Sequence, residues 1–425
     1  MGLAGPGASP SRPTPAGWIW AAVAGLAVVL VAGALGWAWA GGVFQANGTG
    51  PGGAGGESSL VGGSPGASPN LPTPSPTPVP PIGGTELYGF LPYWLMNQTM
   101  VDYLAGVPVS TLALFSVTTT NSGSVRTTDT GYRRITGPIG QALIAGAHAR
   151  HQRVELVYTS FGATANHRIF GPSPVARARH AIAAQQLATL ALDLGFDGLD
   201  VDVERIDDVD VPGYAAFLVD LRSDLDHAGH RGATTISVAT TADHQGAIEA
   251  LDAVNAGVDR VFLMGYDYHW SGSSPGATAP IHSRDTAHDL TTSIVDYVQT
   301  GVPRTKILLG LPLYGMSWPV SGPDPLAVAL GKGSTFIPSS HAAQLLAPGF
   351  APLSDDQETA EWFTSQSGAT WTATYYDSPR TLQPKLELAR VQGLAGAGFW
   401  ALGYERGLPG YLELMQAFRA GRVGG

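Results

Sequence analysis

The chain contains no cysteine. Disulfides, thiolate metal sites and a lipid-modified cysteine near the N-terminus are therefore excluded, and stability must come from packing. Charge is scarce as well, at 13% of 425 residues, and the 23 basic residues are outnumbered by 33 acidic ones for a formal charge of −10. A nucleic-acid partner would need a basic face to neutralise phosphates, so none is expected. The 11 histidines show no paired spacing of the His-Glu-x-x-His kind, and no glycine loop matches a phosphate- or dinucleotide-cradling motif. No metal site and no cofactor are expected.

Hydrophobic residues make up 44% of the chain, beside 56 Gly and 32 Pro. A sizeable core can form, and part of the chain must be linker or loop. From Ala16 to Asn47 no residue is charged, and Trp18 to Ala40 is rich in Ala, Val, Leu and Trp. That run is long enough to cross a bilayer as a helix, with Trp18 and Trp20 at one end and Trp37 and Trp39 at the other as interfacial belts. Arg12 and the terminal amine favour a cytoplasmic N-terminus, which places everything after the helix outside. The competing reading is a cleaved signal peptide, because Ala38-Trp39-Ala40 has a small-x-small pattern; the run is long for a signal peptide, which favours a retained anchor. Residues 1–17 are then a short cytoplasmic segment, 18–40 the membrane anchor or signal sequence, and 41–84 a linker. The linker is dominated by Gly, Pro, Ser and Thr, with Pro72-Thr73-Pro74-Ser75-Pro76-Thr77-Pro78 at its centre. Such a segment cannot bury enough apolar surface to fold and acts as a disordered, extended spacer.

From residue 85 to 421 short apolar runs alternate with helical patterns. The strands are expected at Leu87–Pro92, Thr111–Val117, Arg153–Thr159, Gly198–Glu204, Thr234–Thr240, Arg260–Asp267, Lys306–Leu313 and Gly396–Leu402, with helices such as Val175–Leu194, Tyr214–Ala228, Thr286–Thr300 and Pro379–Val391 between them. Eight strand-helix repeats imply an α/β fold, a closed parallel (β/α)8 TIM barrel. The stretch between Tyr314 and Arg380 is too long for a loop. It predicts a small α+β insertion after strand seven, at about 319–376, with Ala360–Tyr376 read as strand and helix. An insertion there would rise beside the face on which barrel enzymes keep their sites.

Alternate residues of a strand share a face, so Asp200, Asp202 and Glu204 point one way and Leu199, Val201 and Val203 the other. Three acids aimed into a barrel resist simultaneous ionisation, and one of them should hold a proton near neutral pH. Glu204, last on the strand, is the candidate general acid, with Asp202 sharing or relaying its proton. The same acids could instead hold Mg²⁺ or Ca²⁺ through oxygen ligands, or form a solvated cluster at an edge.

Asp197-Gly198-Leu199-Asp200-Val201-Asp202-Val203-Glu204 resembles the Asp-x-x-Asp-x-Asp-x-Glu signature of the family 18 glycoside hydrolases at all four fixed positions. Met264-Gly265-Tyr266-Asp267 resembles the family's strand-six motif, Gly310-Leu311-Pro312-Leu313-Tyr314-Gly315 its strand-seven segment, and Trp400 its strand-eight tryptophan. The resemblance covers Leu87 to about Gly421.

It implies a retaining glycosidase in which the nucleophile is the substrate's own N-acetyl oxygen. Glu204 would be the general acid and base, Asp202 would orient the acetamido nitrogen, and Asp200 would support Asp202. Tyr266 would hydrogen-bond the acetamido oxygen, and Trp400 would floor the reacting sugar. Asp267 could contact the sugar only if the strand ends there. Tyr93, Trp94, Phe161, Trp270, Tyr314 and Trp318, at predicted strand ends, are candidates to stack on sugars in flanking subsites or to be core. The implied partner is a β-1,4-linked N-acetylglucosamine polysaccharide, chitin or peptidoglycan, met by a monomer. The family also includes lectin-like members, so a non-catalytic sugar-binding protein is the alternative. Two departures stand out. Thr159-Ser160-Phe161-Gly162 replaces the Ser-x-Gly-Gly that many relatives carry on strand three, and Glu405 replaces an acidic position that is often Asp.

Overall fold

The structure, a computed structural model, describes residues 86–227, 234–285 and 287–423. The expected membrane span at 18–40 and the linker at 41–84 lie outside the described residues. Among the described residues no helix is long and apolar enough to cross a membrane.

Seven strands come first: β1 (Glu86–Pro92), β2 (Thr111–Val117), β3 (Arg153–Phe161), β4 (Gly198–Glu204), β5 (Thr235–Thr241), β6 (Arg260–Met264) and β7 (Ile307–Pro312). After them come β8 (Gly315–Val320), β9 (Ser334–Phe336), β10 (Leu353–Asp355), β11 (Ala360–Ser367), β12 (Thr370–Tyr376) and β13 (Gly396–Trp400). Strands β1 to β7 and β13 close into an eight-stranded barrel in the order β1-β13-β7-β6-β5-β4-β3-β2, with parallel pairing throughout. This is the (β/α)8 architecture that the alternation of patterns predicts.

Strand periodicity divides the apolar residues between two cores. Leu199, Val201 and Val203 face outward into the large layer between strands and helices, with Leu187 of the helix Pro174–Leu194 and Phe217 and Leu221 of the helix Val211–Leu225. Tyr88, Phe90, Ala113, Phe115, Val157, Ala239, Phe262 and Leu308 fill the barrel interior instead. Inside, Phe262 fits because β7 and β13 carry glycine opposite it. A Cβ on Gly310 or Gly398 would lie 2.4 or 2.5 Å from its ring.

Element ends follow local chemistry. The helix expected from Thr286 starts at Leu290, because Asp289 caps it: its Oδ1 accepts from Thr292 N at 2.7 Å while the Thr292 hydroxyl accepts from Asp289 N at 2.8 Å. Strand β6 stops at Met264 rather than Asp267. Gly265 N turns back onto Leu263 O and Tyr266 N onto Met264 O, both at 2.8 Å, and Asp267 adopts a left-handed φ of 61°.

Between β7 and β13 the chain builds a separate five-stranded sheet in the order β10-β11-β12-β8-β9, antiparallel at every pair. It begins at Gly315, four residues before the expected boundary. The helix expected within 360–376 is absent. The segment is the hairpin β11-β12, turned at Gly368 with φ of 60°, and its alternating aromatic and hydroxyl residues suit a pleated sheet better than a helix. Trp318, a candidate sugar platform from sequence, is fully buried in this sheet's own core with Met316, Trp362 and Tyr375. It cannot stack on a ligand.

A buried polar cluster ties the sheet to the loop after β6. Glu358 accepts from Ala277 N at 2.9 Å and Arg284 N at 3.2 Å, and its Oε1 lies 3.3 Å from His269 Nε2. Arg284 grips both oxygens of Asp355 at 2.7 and 2.8 Å. Burial opposes the charge on His269, but Glu358, the Ser274 carbonyl and Asp285 outweigh it and raise the imidazole pKa above 6.5. For Glu358 burial is likewise outweighed, by His269 and the backbone donors, and the pKa falls below 4.5. A raised histidine stabilises fully below 6.5 and loses that contribution as pH rises through its folded value. A lowered glutamate stabilises fully above 4.5 and loses it as pH falls through its own. The cluster is therefore strongest between pH 4.5 and 6.5. We expect His269→Gln to cost about 3 kcal/mol in that window and less at higher pH, read from denaturant midpoints of wild type and variant across pH. A difference that does not vary with pH would refute this account.

Candidate active site

The acids of β4 climb the inside of the barrel. Pairing of β3, β4 and β5 sets Val157, Asp200 and Ser237 in one layer, Thr159, Asp202 and Ala239 in the next, and Phe161 beside Glu204 at the mouth. Successive acids are about 6.6 Å apart along the strand. Asp200 is fully buried, Asp202 nearly so, and Glu204 partly accessible. Solvent thus meets the stack only at its last member.

The environment decides how the stack titrates. Burial pushes the Asp200 carboxyl well above the usual carboxylate range, with the charge of Glu155 adding to it. For Asp202 burial again dominates, followed by the charges of Glu204 and Asp200. Glu204 is raised to about 7 by burial and then by Asp267, against a smaller opposing pull from Arg205. One oxygen of Asp200 and one of Asp202, Oδ1 in each case, are buried with no hydrogen-bond partner. A buried acceptor without a donor costs about 1–3 kcal/mol. A proton or a ligand N–H would satisfy it.

Glu204 is held from behind. Gly162 N donates to Glu204 O at 3.1 Å, and Asn166 Nδ2 donates to the same oxygen at 2.6 Å while its own Oδ1 accepts from Ser160 Oγ at 2.7 Å. The segment that departs from the Ser-x-Gly-Gly pattern, Thr159 to Gly162, therefore braces the backbone that carries Glu204. Phe161 sits half-buried against the inner core at the same level.

Facing the acids, an aromatic column rises through the other half of the barrel. Tyr88 and Phe262 have ring centroids 5.7 Å apart, Phe90 lies 4.9 Å from Phe262, and Trp400 lies 5.6 Å from Phe90 and 4.7 Å from Phe115. Trp94, 44% exposed, packs edge-on to Trp400 at 6.3 Å and to Tyr93 at 5.0 Å. Trp400 is thus a half-buried platform at the mouth with Trp94 and Tyr93 beside it.

The early end of β6 brings Tyr266 and Asp267, adjacent in sequence, to one region. Burial first, then the charges of Asp202, Asp267, Glu204 and Asp200, hold the Tyr266 phenol far above its ordinary range, so it stays an O–H donor. Asp267 is raised to about 6 by burial, against a hydrogen bond from the Tyr314 hydroxyl. The condition set for Asp267, that the strand ends there, holds, since β6 stops at Met264. Tyr314 is mostly buried behind Asp267 and edge-on to Tyr266 at 6.1 Å, which makes it a support for these two rather than an open platform. Trp270 packs over Gly272 in its own loop, apart from the aromatic contacts around Trp400. Glu405 is buried, accepting from Tyr103 Oη at 2.7 Å and Gly403 N at 2.8 Å, so it anchors the turn after β13.

Two groups escape the sequence reading. Glu155 lies inside the barrel beneath the acid stack, and its signal is its place on the same face of β3 as Val157 and Thr159. The other is His269, Asp285 and Glu358, which among the described residues form the group of His, Asp and Glu side chains close enough to share one ion. Arg284 Nη1, 3.6 Å from Glu358 Oε2, already brings a positive charge there. The group fits an ion-pair cluster better than a cation site.

A closed parallel barrel with acids at the carboxyl end of one strand and an aromatic platform across from them has the anatomy of a (β/α)8 enzyme site. The chain belongs to the glycosyl hydrolases family 18, whose model matches residues 112–405. Relatives include a putative sporulation-specific glycosylase of Bacillus subtilis, 28% identical over 220 residues, covering 49% of this chain and 47% of that one. Endochitinase 1 of Metarhizium robertsii is 28% identical over 243 residues, covering 52% of this chain and 55% of its own. This chain spans about half the length of the curated relatives it matches. Solved structures share the fold: the class V chitinase from Nicotiana tobaccum at a TM-score of 0.66 and 17% identity, covering 78% of this chain and 98% of that one, and the spore cortex-lytic enzyme of Bacillus cereus at 0.61 and 18%, covering 78% and 73%.

The raised value for Glu204 depends in part on Asp267. We expect Asp267→Asn to move the Glu204 titration from about 7 to lower pH by about one unit, followed by carboxyl carbon NMR. An unmoved titration would mean that burial alone sets it.

Proposed function

We propose that this chain is a retaining glycosidase that cleaves β-1,4 bonds to N-acetylglucosamine, with the substrate's own acetamido group as nucleophile. The observation that carries the reading is the vertical order of the site. A carboxyl raised to about 7 stands at the mouth, and one layer below it lies a buried carboxyl with a free acceptor oxygen.

Glu204, protonated, donates to the glycosidic oxygen as the bond to the anomeric carbon breaks. The acetamido carbonyl oxygen attacks that carbon from the opposite face and gives an oxazolinium ion. Asp202 Oδ1 accepts the acetamido N–H, which aligns the carbonyl, and the Tyr266 O–H donates to the acetamido oxygen. Asp200 lies directly beneath Asp202 and supports it. Glu204, now a carboxylate, takes a proton from the incoming water, whose attack restores the original anomeric configuration. Trp400 floors the reacting sugar, and Trp94 offers a face to its neighbour. Chitin and peptidoglycan both present the required bond. The names of relatives point to each: endochitinases on one side, a cortical fragment-lytic enzyme of Bacillus anthracis, 28% identical over 218 residues, on the other.

The test is product analysis of the full chain on N-acetylglucosamine oligomers, purified peptidoglycan and a deacetylated oligomer. We expect β-anomeric products from an acetylated substrate, none from the deacetylated one, and a loss of at least 10³-fold in kcat for Glu204→Gln. Binding by both forms without cleavage by either would leave the lectin-like reading standing. Cleavage of the deacetylated oligomer would remove the acetamido mechanism.

We propose further that residues 18–40 hold this domain on the outer side of a membrane, the support being an uncharged run flanked by tryptophans. The full chain should sediment with membranes and deletion of 18–40 should release it. A mature N-terminus beginning after Ala40 would indicate secretion instead.

A further inference from the structure

We infer that Glu155 is a positioning residue for the acid stack: through the hydroxyl of Tyr88 it fixes the proton of the lowest stack member on Asp200. This rests on the reading of Asp200, Asp202 and Glu204 given under the proposed function.

Tyr88 Oη lies 2.6 Å from Glu155 Oε2 and 3.2 Å from Asp200 Oδ2. A phenol has one proton to donate and can accept with its oxygen. The shorter contact has the length of a hydroxyl donating to a carboxylate, so Tyr88 donates to Glu155. Its contact with Asp200 is then favourable only if Asp200 carries a proton and donates it to the phenol oxygen.

The surroundings favour this polarity. Glu155 has a second donor in the Thr235 hydroxyl, and the Arg153 guanidinium, which donates to Thr235 Oγ1 at 2.8 Å, lies on the same inward face of β3. Among the described residues no cation is among the groups acting on Asp200: above it is Asp202, and Tyr214 and Tyr266 lie within electrostatic reach. Ser237 of β5 completes the ring around Glu155. Arg260, a further cation at this end of the barrel, is taken up by Glu86 at 2.7 Å. Burial pushes both carboxyls up, Glu155 against the pull of Arg153 and Asp200 further, with Glu155's charge added.

The consequence is a stack with an assigned bottom. Asp200 is neutral and bonded to Tyr88, so the mobile charge is confined to Asp202 and Glu204. With Gln at 155, the amide can donate to the phenol oxygen and Tyr88 then donates to Asp200, which ionises more readily beneath Asp202.

The test combines infrared titration and kinetics on the full chain. In wild type a protonated-carboxyl band, missing from Asp200→Asn, should persist through neutral pH. In Glu155→Gln it should titrate away at lower pH. In the double variant Glu155→Gln with Tyr88→Phe, which removes the phenol donor from Asp200, it should move back up. Glu155→Gln should lower kcat about tenfold with KM within twofold, a split that a loosened fold would not produce. A band that titrates identically in wild type and Glu155→Gln would overturn the inference, as would a double variant that fails to restore it. The two readings fail separately. Turnover retained in Glu204→Gln would sink the catalytic assignment, whereas an inactive Glu204→Gln beside an unaltered Glu155→Gln would sink the positioning role alone. The infrared readout needs no turnover.

Discussion

Four carboxyl groups inside one barrel constrain everything around them. An ion transferred to such an interior without compensation costs several kcal/mol, and the structure meets that cost in different ways at each level. At the bottom Glu155 has hydroxyl donors and the nearby Arg153. Above it, burial first and the neighbouring carboxylates second push Asp200 and Asp202 toward their neutral forms. At the mouth, burial and then the charge of Asp267 raise Glu204 to about 7. From Asp200 and Asp202 to Glu204 the upward push thus weakens toward the mouth.

The opposite half of the interior supplies the low dielectric that keeps this gradient steep. Tyr88, Phe90, Phe262, Phe115 and Trp400 pack at tilted or edge-to-face angles from floor to mouth. Glycines on β7 and β13 make the room. The column ends in Trp400 and Trp94, where the same aromatic character that excludes water below can stack on a sugar ring. Outside the barrel, the β8 to β12 sheet meets the loop after β6, which it holds by Glu358 and Asp355. That loop follows directly from Tyr266 and Asp267 in the chain.

The barrel, and the face that the acids of β4 occupy, were legible because both rest on periodicity, which is local. Strand boundaries were less so where a side chain or a backbone turn decides them, as Asp289 does for its helix and the Gly265–Asp267 turn for β6. The aromatics at predicted strand ends divided in a way no local pattern could reveal. Trp94 and Trp400 reach the mouth, Tyr314 backs Asp267, and Trp318 vanishes into a second core. Hydrophobic residues of one kind serve all three roles.

Sequence by itself determined which residues of each strand face the axis, and therefore that Asp200, Asp202 and Glu204 form one column. Only the tertiary structure decided what meets that column. Tyr88 joins Glu155 to Asp200 across 67 and 112 residues of chain, and His269 meets Glu358 across 89. The reason is physical: strand period assigns a side chain to a face, but closure of the ring assigns its partners, and the energy of a buried charge depends on those partners rather than on its neighbours in sequence.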